Sequence, residues 1–414
     1  MADIELRDKA LATPRVVVAM RATDGEGGAR PSARAGALQT LAVTGDDFFV
    51  SRHHALFAEL ARRVQNIVIV SDLSPQQRLE IASAEIMYAA GRLARRPFPL
   101  SAARLRSLRR RFRRHPATFK LVSRFRAAAL KKLPTRPDLV FALFSRSSPD
   151  PDGDGLPYVY YLDFTAALSR RQWSAWEPFE DDATADGWFR LEGDSYRRAR
   201  MIFAMSEAVR RSLISDYDVE PARIAVVLGS GNFDCVPPLR ARHPTRCLIF
   251  NGSQFELKGG DRVLAAFARL RGRYPDARLI IVGTNQKISV PQVEVTGYIH
   301  DPKRMDELFA AADVVIAPAR MEPFGCFIVE GMRWGAVPVL SDVGAARDIV
   351  EDGFSGLIVP DPTPEVIAER IAALFEDPTR TRAMSKAARD RVASHLTWSR
   401  VVDRMFAALG ETAR

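Results

Sequence analysis

"DVVIAPARMEPFGCFIVEGMRWGAVPVLSD", residues 313–342, contains two short aliphatic runs, "DVVIAPA" (313–319) and "VPVLSD" (337–342), on either side of "CFIVEGMRWG" (326–335). The outer runs read as strands and the middle one as a helix. A strand buried on both faces, then a helix, then another such strand implies a parallel sheet covered on both sides. The same alternation spreads outward. "RCLIFNG" (246–252), "ARLIIVG" (277–283) and "VEVTGYI" (293–299) are strand-like, and "GDRVLAAFARLRGRY" (260–274), "KRMDELFAAA" (303–312) and "PEVIAERIAALFED" (364–377) are helical. A last helical tract covers 380–410. The expected class is therefore α/β, with a doubly wound sheet over the second half of the chain.

The first half repeats the pattern less regularly. "LQTLAVTG" (38–45), "VSRHHALFAELARR" (50–63) and "NIVIVSD" (66–72) form one β-α-β unit, and "DLVFALF" (138–144) and "YVYYLDF" (158–164) add two strands. "DSYRRARMIFAMSEAVRRSLISDY" (194–217) then supplies a helix, a strand and a helix, before "ARIAVVLGSG" (222–231) closes the half. An alternative first strand is "VVVAM" at 16–20; the later one leaves strand, helix and strand at normal spacing. Residues 1–36, rich in Gly, Ser and charge, read as a flexible extension. The proline-rich "GSGNFDCVPPLRARHPT" (229–245) reads as a domain connection. Two Rossmann-like domains follow, 37–230 and 245–395, with 396–414 a terminal helix packing back towards the first. Two doubly wound domains in series would turn their ligand-binding strand edges towards one crevice.

Composition agrees with two domains: 414 residues with 47% hydrophobic content exceed what one core usually serves. No apolar run is long enough for a membrane span, and Asp3, Glu5 and Asp8 replace the basic start of a secretory signal, so a cytoplasmic protein is expected. Cys235, Cys247 and Cys326 show neither CxxC spacing nor paired histidines, which argues against a structural metal or a disulfide framework. The net charge is +10, yet Arg92 to Lys132 holds fifteen Lys or Arg and no acid, so the remaining residues together are acidic. Charge concentrated in one insertion, 92–132, points to an anionic partner surface. Leu105, Leu108 and Phe112 share one helical face there and could enter a lipid interface.

The turn "RMEPFG" lies between a strand end and a helix start, where anions bind: backbone N–H groups and the helix dipole point outward, and Gly325 lets a phosphate approach. Glu330, inside an apolar helix, could accept hydrogen bonds from the vicinal hydroxyls of a ribose. Glu322 would flank the phosphate on the other side, near a sugar. A second strand-end loop, "FNGSQFELKGGD" (250–261), offers Lys258 as a cation for the same diphosphate.

On "GSQFELKGG", "ARLIIVG", "VTGYI", "DELFAAADVVIAPA", "EPFGCFIVEGMRWGAVPVLSDVGAARDIVEDGFSGLIV" and "TWSRVVDRMFAAL", residues 246–410 resemble the nucleotide-binding domain of retaining GT-B glycosyltransferases of family four. The resemblance implies a nucleoside-diphosphate-sugar donor and a glycan or lipid-linked acceptor, as in envelope polysaccharide or glycolipid synthesis. It places Glu330 on the ribose, and Lys258 and the backbone of Gly325, Cys326 and Phe327 on the diphosphate. Glu322 falls at the donor sugar, the backbone of Tyr298 and Ile299 beside the base, and Gly252 and Ser253 at the opening of the lysine loop. No metal or other cofactor is implied.

The sequence departs from the family in places. Ser253 stands where an Arg is usual, five positions before the lysine. Gly344 and Asp348 of "GAARD" replace a Gly-Gly pattern, and "TGDDFF" (44–49) has only Gly45 where a Gly-Gly loop is usual. Asp163 occupies the place of a frequent sugar-facing histidine and is the third catalytic candidate beside Lys258 and Glu322. His53 and His54 read as partly exposed helix residues. "DPDGDG" (150–155) reads as an acidic turn, because Tyr161 stands where a calcium loop needs a glutamate. Two other function classes stay open: a homologue that binds nucleotide sugar without transferring it, and a nucleic-acid binder using the basic tract. The tract offers only Phe98, Phe112, Phe119 and Phe125 for stacking, so no nucleic-acid partner is expected.

Overall fold

Runs of Val, Ile, Leu and aromatic residues bounded by Gly, Asp and Ser form strands here because such side chains fill both faces of a covered sheet. In the computed structural model, residues 38–411 are described apart from 47–49, 51, 71–72, 96–101, 145, 174–178 and 239–244. The proposed 1–36 extension and the alternative strand at 16–20 lie outside the described residues.

Among the described residues twelve strands form two sheets, all of them parallel. The first contains β1 (Thr40–Gly45), β2 (Asn66–Val70), β3 (Leu139–Leu143), β4 (Tyr158–Leu162), β5 (Met201–Ala204) and β6 (Ile224–Val226) in the order β2-β1-β3-β4-β5-β6. The second contains β7 (Cys247–Asn251), β8 (Arg278–Val282), β9 (Val293–Gly297), β10 (Val314–Ala317), β11 (Val337–Ser341) and β12 (Leu357–Val359) in the order β12-β11-β10-β7-β8-β9. Each sheet grows outward from its first strand, then resumes on that strand's other side. The reversals fall between β1 and β3 and between β7 and β10. At such switch points the loops at the carboxyl ends diverge, and ligands bind there.

The chain divides into two compact units. One comprises Val227–Arg404 with Ser206–Ala208; the other comprises the remaining described residues up to Val226 and the chain from Met405. In the first, Leu248, Phe250, Phe267, Leu279, Ile316 and Val339 are sealed between the sheet and its helices. In the second, the core is aromatic and partly polar: Tyr158, Tyr160, Tyr196 and Trp188 are almost completely buried. Tyr158 donates to the Ser195 carbonyl at 2.6 Å, and Tyr160 shares a 2.6 Å bond with the Ser195 hydroxyl, so these two phenols do not enter the core unsatisfied.

The tract 380–410 is two helices, Pro378–His395 and Trp398–Glu411. A helix of 21 residues, Pro75–Arg95, leads into the basic insertion and was not anticipated. Phe112 cannot enter a lipid interface: it is 4% exposed and packs on the rings of Tyr88 and His115. Nor are all the basic residues of the insertion presented outward. Arg126 is buried and donates to the Ser147 hydroxyl. Arg114 lies 5.0 Å over the Trp188 ring, and burial lowers its pKa to about 10 despite the opposing charge of Glu192. "DPDGDG" is the acidic turn expected, with buried Asp150 accepting from the N–H groups of Asp154 and Gly155 at 2.9 and 3.2 Å.

Candidate functional site

Because β7 and β10 are parallel neighbours, the loops that follow them emerge side by side at the switch point of the second sheet. The loop after β7 turns at Gly259 (φ 80°) into the helix Gly260–Arg273. The loop after β10 turns at Gly325 (φ 103°) into the helix Cys326–Arg333. Both glycines occupy left-handed conformations that other residues adopt only with strain. A side chain at Gly259 would also stand 2.2 Å from the Pro318 carbonyl oxygen, which belongs to the other loop.

The two loops are stitched together. Arg320 donates its backbone N–H to the Leu257 carbonyl at 2.9 Å and its guanidinium to the Glu256 carbonyl at 2.5 Å. The guanidinium also forms a bidentate pair with Asp261 at 2.7 and 2.6 Å, and this pairing lowers the Asp261 pKa. Arg262 returns a bond to the Pro318 carbonyl at 3.1 Å. A bidentate Arg fixes orientation as well as distance. Arg320, Asp261 and Arg262 were not singled out from the sequence, since an arginine at a strand end carries no signal of its partner.

Held in this way, Lys258 Nζ lies 2.7 Å from Glu322 Oε2, with the two side chains 14% and 17% exposed. Two of the predicted site residues therefore meet directly. A third loop, after β11, comes equally close: Gly344 (φ 56°) leaves no room for a Cβ, which would fall 1.7 Å from the Glu322 carbonyl oxygen. Glu330 is half-buried and accepts the Asn232 N–H at 2.8 Å. Burial raises its pKa, against the Asn232 N–H, which favours the charged form. The segment delivering Asn232 is itself fixed, with Trp398 Nε1 donating to the Gly231 carbonyl at 2.9 Å. Cβ atoms at Gly229 or Gly231 would fall 2.9 Å from the Phe324 ring and 2.5 Å from Glu330 Cγ. The stretch read as a plain connection thus backs the Pro-Phe-Gly turn.

The remaining predicted residues are placed as follows. Cys326 is exposed at the start of its helix, and Phe327 packs on Phe309 with ring centroids 4.8 Å apart. Gly252 follows β7 in a buried position, its N–H on the Val282 carbonyl at 2.7 Å. Ser253 commits both its donors to Asn251 Oδ1, at 2.6 and 3.0 Å, and brings no charge. Tyr298, 52% exposed, and Ile299 follow β9 at the same edge, two strands from β7. Asp163 belongs to the other sheet. It is half-buried just after β4, where its charge and that of Asp46 counter the burial that lowers the Arg146 pKa. Arg146 lies 3.8 Å from Asp46, across that sheet's own switch point. His53 precedes the helix His54–Ala61 and His54 begins it, with His53 edge-on to Phe144. Among the described residues no group of three His, Cys, Asp or Glu could hold a metal ion, and no helix is long and apolar enough to cross a membrane.

Residues 237–391 match the family model "Glycosyl transferases group 1". Over 217 residues the chain is 29% identical to a D-inositol 3-phosphate glycosyltransferase of Corynebacterium aurimucosum, covering 46% of this chain and 51% of that protein. Over 178 residues it is 33% identical to a GDP-mannose-dependent alpha-(1-6)-phosphatidylinositol dimannoside mannosyltransferase of Mycobacterium tuberculosis, covering 41% and 45%. The chain thus spans about half the length of the curated relatives it matches. Among solved structures it is similar to Anabaena Alr3699/HepE in complex with UDP and glucose, with TM-score 0.58, 16% identity and 90% and 99% of the two chains covered. It is also similar to sucrose-phosphate synthase of Thermosynechococcus elongatus, with TM-score 0.61, 15% identity and 90% and 98% covered. These likenesses fit two parallel sheets, each with a switch point: residues 237–391 match the glycosyl transferases group 1 model, and the chain has the two Rossmann-like domains of the GT-B fold.

Proposed function

We propose that the chain moves a sugar from a nucleoside-diphosphate sugar to a glycan or lipid-linked acceptor, with retention of anomeric configuration and without a metal. The observation that carries this reading is the Lys258–Glu322 pair at 2.7 Å, set beside the helix start at Gly325. A cation and a helix N-terminus aimed at one point neutralise a departing diphosphate, and preorganised charge of this kind is commonly the largest contribution to catalysis. Donor binding exchanges partners: the diphosphate takes the Lys258 ammonium, and Glu322 is released to accept hydroxyl groups of the sugar. Glu330 holds the ribose, Gly252 and Ser253 border the diphosphate, and Tyr298 and Ile299 border the base. As the nucleoside diphosphate leaves, the acceptor hydroxyl attacks the same face and passes its proton to the leaving phosphate oxygen.

The unit bearing β1 to β6 takes the acceptor, with Asp46, Arg146 and Asp163 at its switch point as candidate contacts. A lipid-linked acceptor is favoured by relatives named for phosphatidylinositol mannoside and inositol phosphate substrates. It is also favoured by the exposed Leu79, Ile86 and Met87 on the helix Pro75–Arg95, next to the basic helix Ala102–Phe112. These three, rather than Phe112, are the apolar residues that could touch an anionic bilayer.

Incubation with a panel of UDP-, GDP- and ADP-sugars, scored for donor cleavage with and without lipid acceptor, tests the reading. Cleavage of one donor, lost in Lys258→Ala, is expected. A second reading, binding without transfer, is favoured by the neutral Ser253 and by Asp163; it predicts tight binding of one nucleotide sugar that stays intact.

A further inference from the structure

Away from both switch points, the unit bearing β1 to β6 contains a cavity of about 780 Å³ between the helices Pro116–Lys131 and Asp182–Arg198. Its volume is in the range of small-ligand sites. The second helix runs into β5, so its last turns, which line the cavity, lie towards the amino ends of the strands, opposite the edge that carries Asp163. Nothing in the proposed transfer reaction uses this space.

The charges around it are unbalanced. Lys120 and Arg124, one turn apart on the same helix, are exposed and have no ion-pair or hydrogen-bond partner among the described residues. Like charges at this spacing weaken a helix, so the arrangement is not explained by local stability. Arg198 closes the opposite wall, its Nε on the Asp194 carbonyl at 3.2 Å. Asp194 and Arg197 offset one another at 2.6 Å, and Arg197 is further tied to the Tyr217 carbonyl at 2.6 Å. Beyond the Asp194–Arg197 pair, the lining holds three cations, Lys120, Arg124 and Arg198, and one further acid, exposed Asp152, whose charge also acts on Lys131. The wall behind them is rigid: Ser123 Oγ accepts the Ser148 N–H at 2.8 Å and donates to the Phe119 carbonyl at 2.7 Å. Phe119 is buried and edge-on to Trp188, and Leu191 completes an apolar side.

We propose that this cavity binds a free sugar or polyol phosphate. A concave surface with excess positive charge concentrates anions, and three cations lining one cavity suit a phosphate group. The single acid argues against a bare polyanion and for a hydroxyl-bearing body, because a carboxylate accepts hydrogen bonds from hydroxyls but repels a second phosphate. The apolar side accommodates the C–H face of such a ring.

The test is calorimetric titration of the full chain with ribose 5-phosphate and glucose 6-phosphate, with inorganic phosphate as a second probe. At least one sugar phosphate is expected to bind at one site, at least tenfold more tightly than inorganic phosphate. The double variant Lys120→Glu/Arg124→Glu should weaken it at least tenfold while circular dichroism stays unchanged, and the milder Lys120→Gln/Arg124→Gln should weaken it in the same direction. Lys258→Ala, which alters only the switch point of the other sheet, should leave it unaltered. Absence of binding to the unaltered chain, equal affinity for inorganic phosphate, or binding that survives in both double variants would overturn the proposal. So would loss of binding in Lys258→Ala, which would assign the ligand to the loops around β7 and β10 instead.

Discussion

Glu330 combines a proposed contact with the donor ribose and a cost to the fold. Its carboxyl is withdrawn from water, and burial raises its pKa. A carboxyl with a raised folded-state pKa binds more protons in the native than in the unfolded state, so stability falls as pH rises from the unfolded value through the folded one. The penalty is complete only once pH lies above the folded value. Glu330→Gln keeps an oxygen for the Asn232 N–H and removes the buried charge. It should raise the melting temperature at pH 7.5 by on the order of 2 °C, an advantage that shrinks as pH falls into the carboxyl range, while donor binding weakens. Thermal denaturation at pH 7.5 and pH 4.5, beside calorimetry with the donor, checks both halves. Lys258 should behave differently. In the proposed transfer its charge matters most as the diphosphate departs, so Lys258→Ala is expected to lower kcat by about 10²-fold or more, with the smaller effect on KM. Glu330→Ala should instead act mainly through donor affinity. Steady-state kinetics on the two variants separates these roles, and indistinguishable profiles would remove the assignment.

At the scale of elements, the site depends on three loops approaching more closely than side chains allow. Gly259 faces the Pro318 carbonyl and Gly344 faces the Glu322 carbonyl, each in a left-handed conformation. Gly344→Ala therefore has to push the Glu322 loop away or abandon its own backbone angles. A loss of about 1–3 kcal/mol in unfolding free energy is expected, with weaker nucleotide binding even where the variant folds. Urea denaturation and nucleotide titration measure the two effects. Arg320 is the complementary device. Arg320→Lys keeps the charge but cannot form the bidentate pair with Asp261, so donor affinity should fall although Arg320 itself is assigned no contact with the donor. Unchanged affinity in Arg320→Lys would mean that the loops are held by their backbone bonds alone.

For the whole molecule, the basic insertion is part scaffold and part surface. Arg114 and Arg126 support the aromatic interior, whereas Arg106, Arg109 and Arg110 are exposed near the apolar residues of the helix Pro75–Arg95. Sedimentation with vesicles containing acidic lipid should carry the chain down at low salt and release it as salt rises, since exposed charges are screened. Ile86→Glu/Met87→Glu should reduce the pelleted fraction without lowering the melting temperature, because both side chains are already in water. Pelleting that ignores both salt and these substitutions would exclude the surface.

Much of the architecture was legible because it depends on local chemistry. Aliphatic runs such as "CLIFN" and "RLIIV" admit little but a covered parallel strand, and the glycines at 259 and 325 mark strand-to-helix turns wherever the chain lies in space. The same local signals singled out Lys258, Glu322 and Glu330 as chemically promising. They could not reveal that Phe112 turns inward, since a helical stripe looks the same whether it meets lipid or Tyr88. Nor could they link Arg320 to Asp261, 59 positions away, or Asn232 to Glu330, 98 positions away. Patterning is a property of neighbours along the chain. The partner of a charge, and the distance between two loops, is decided only when strands far apart in sequence pair and bring their ends together.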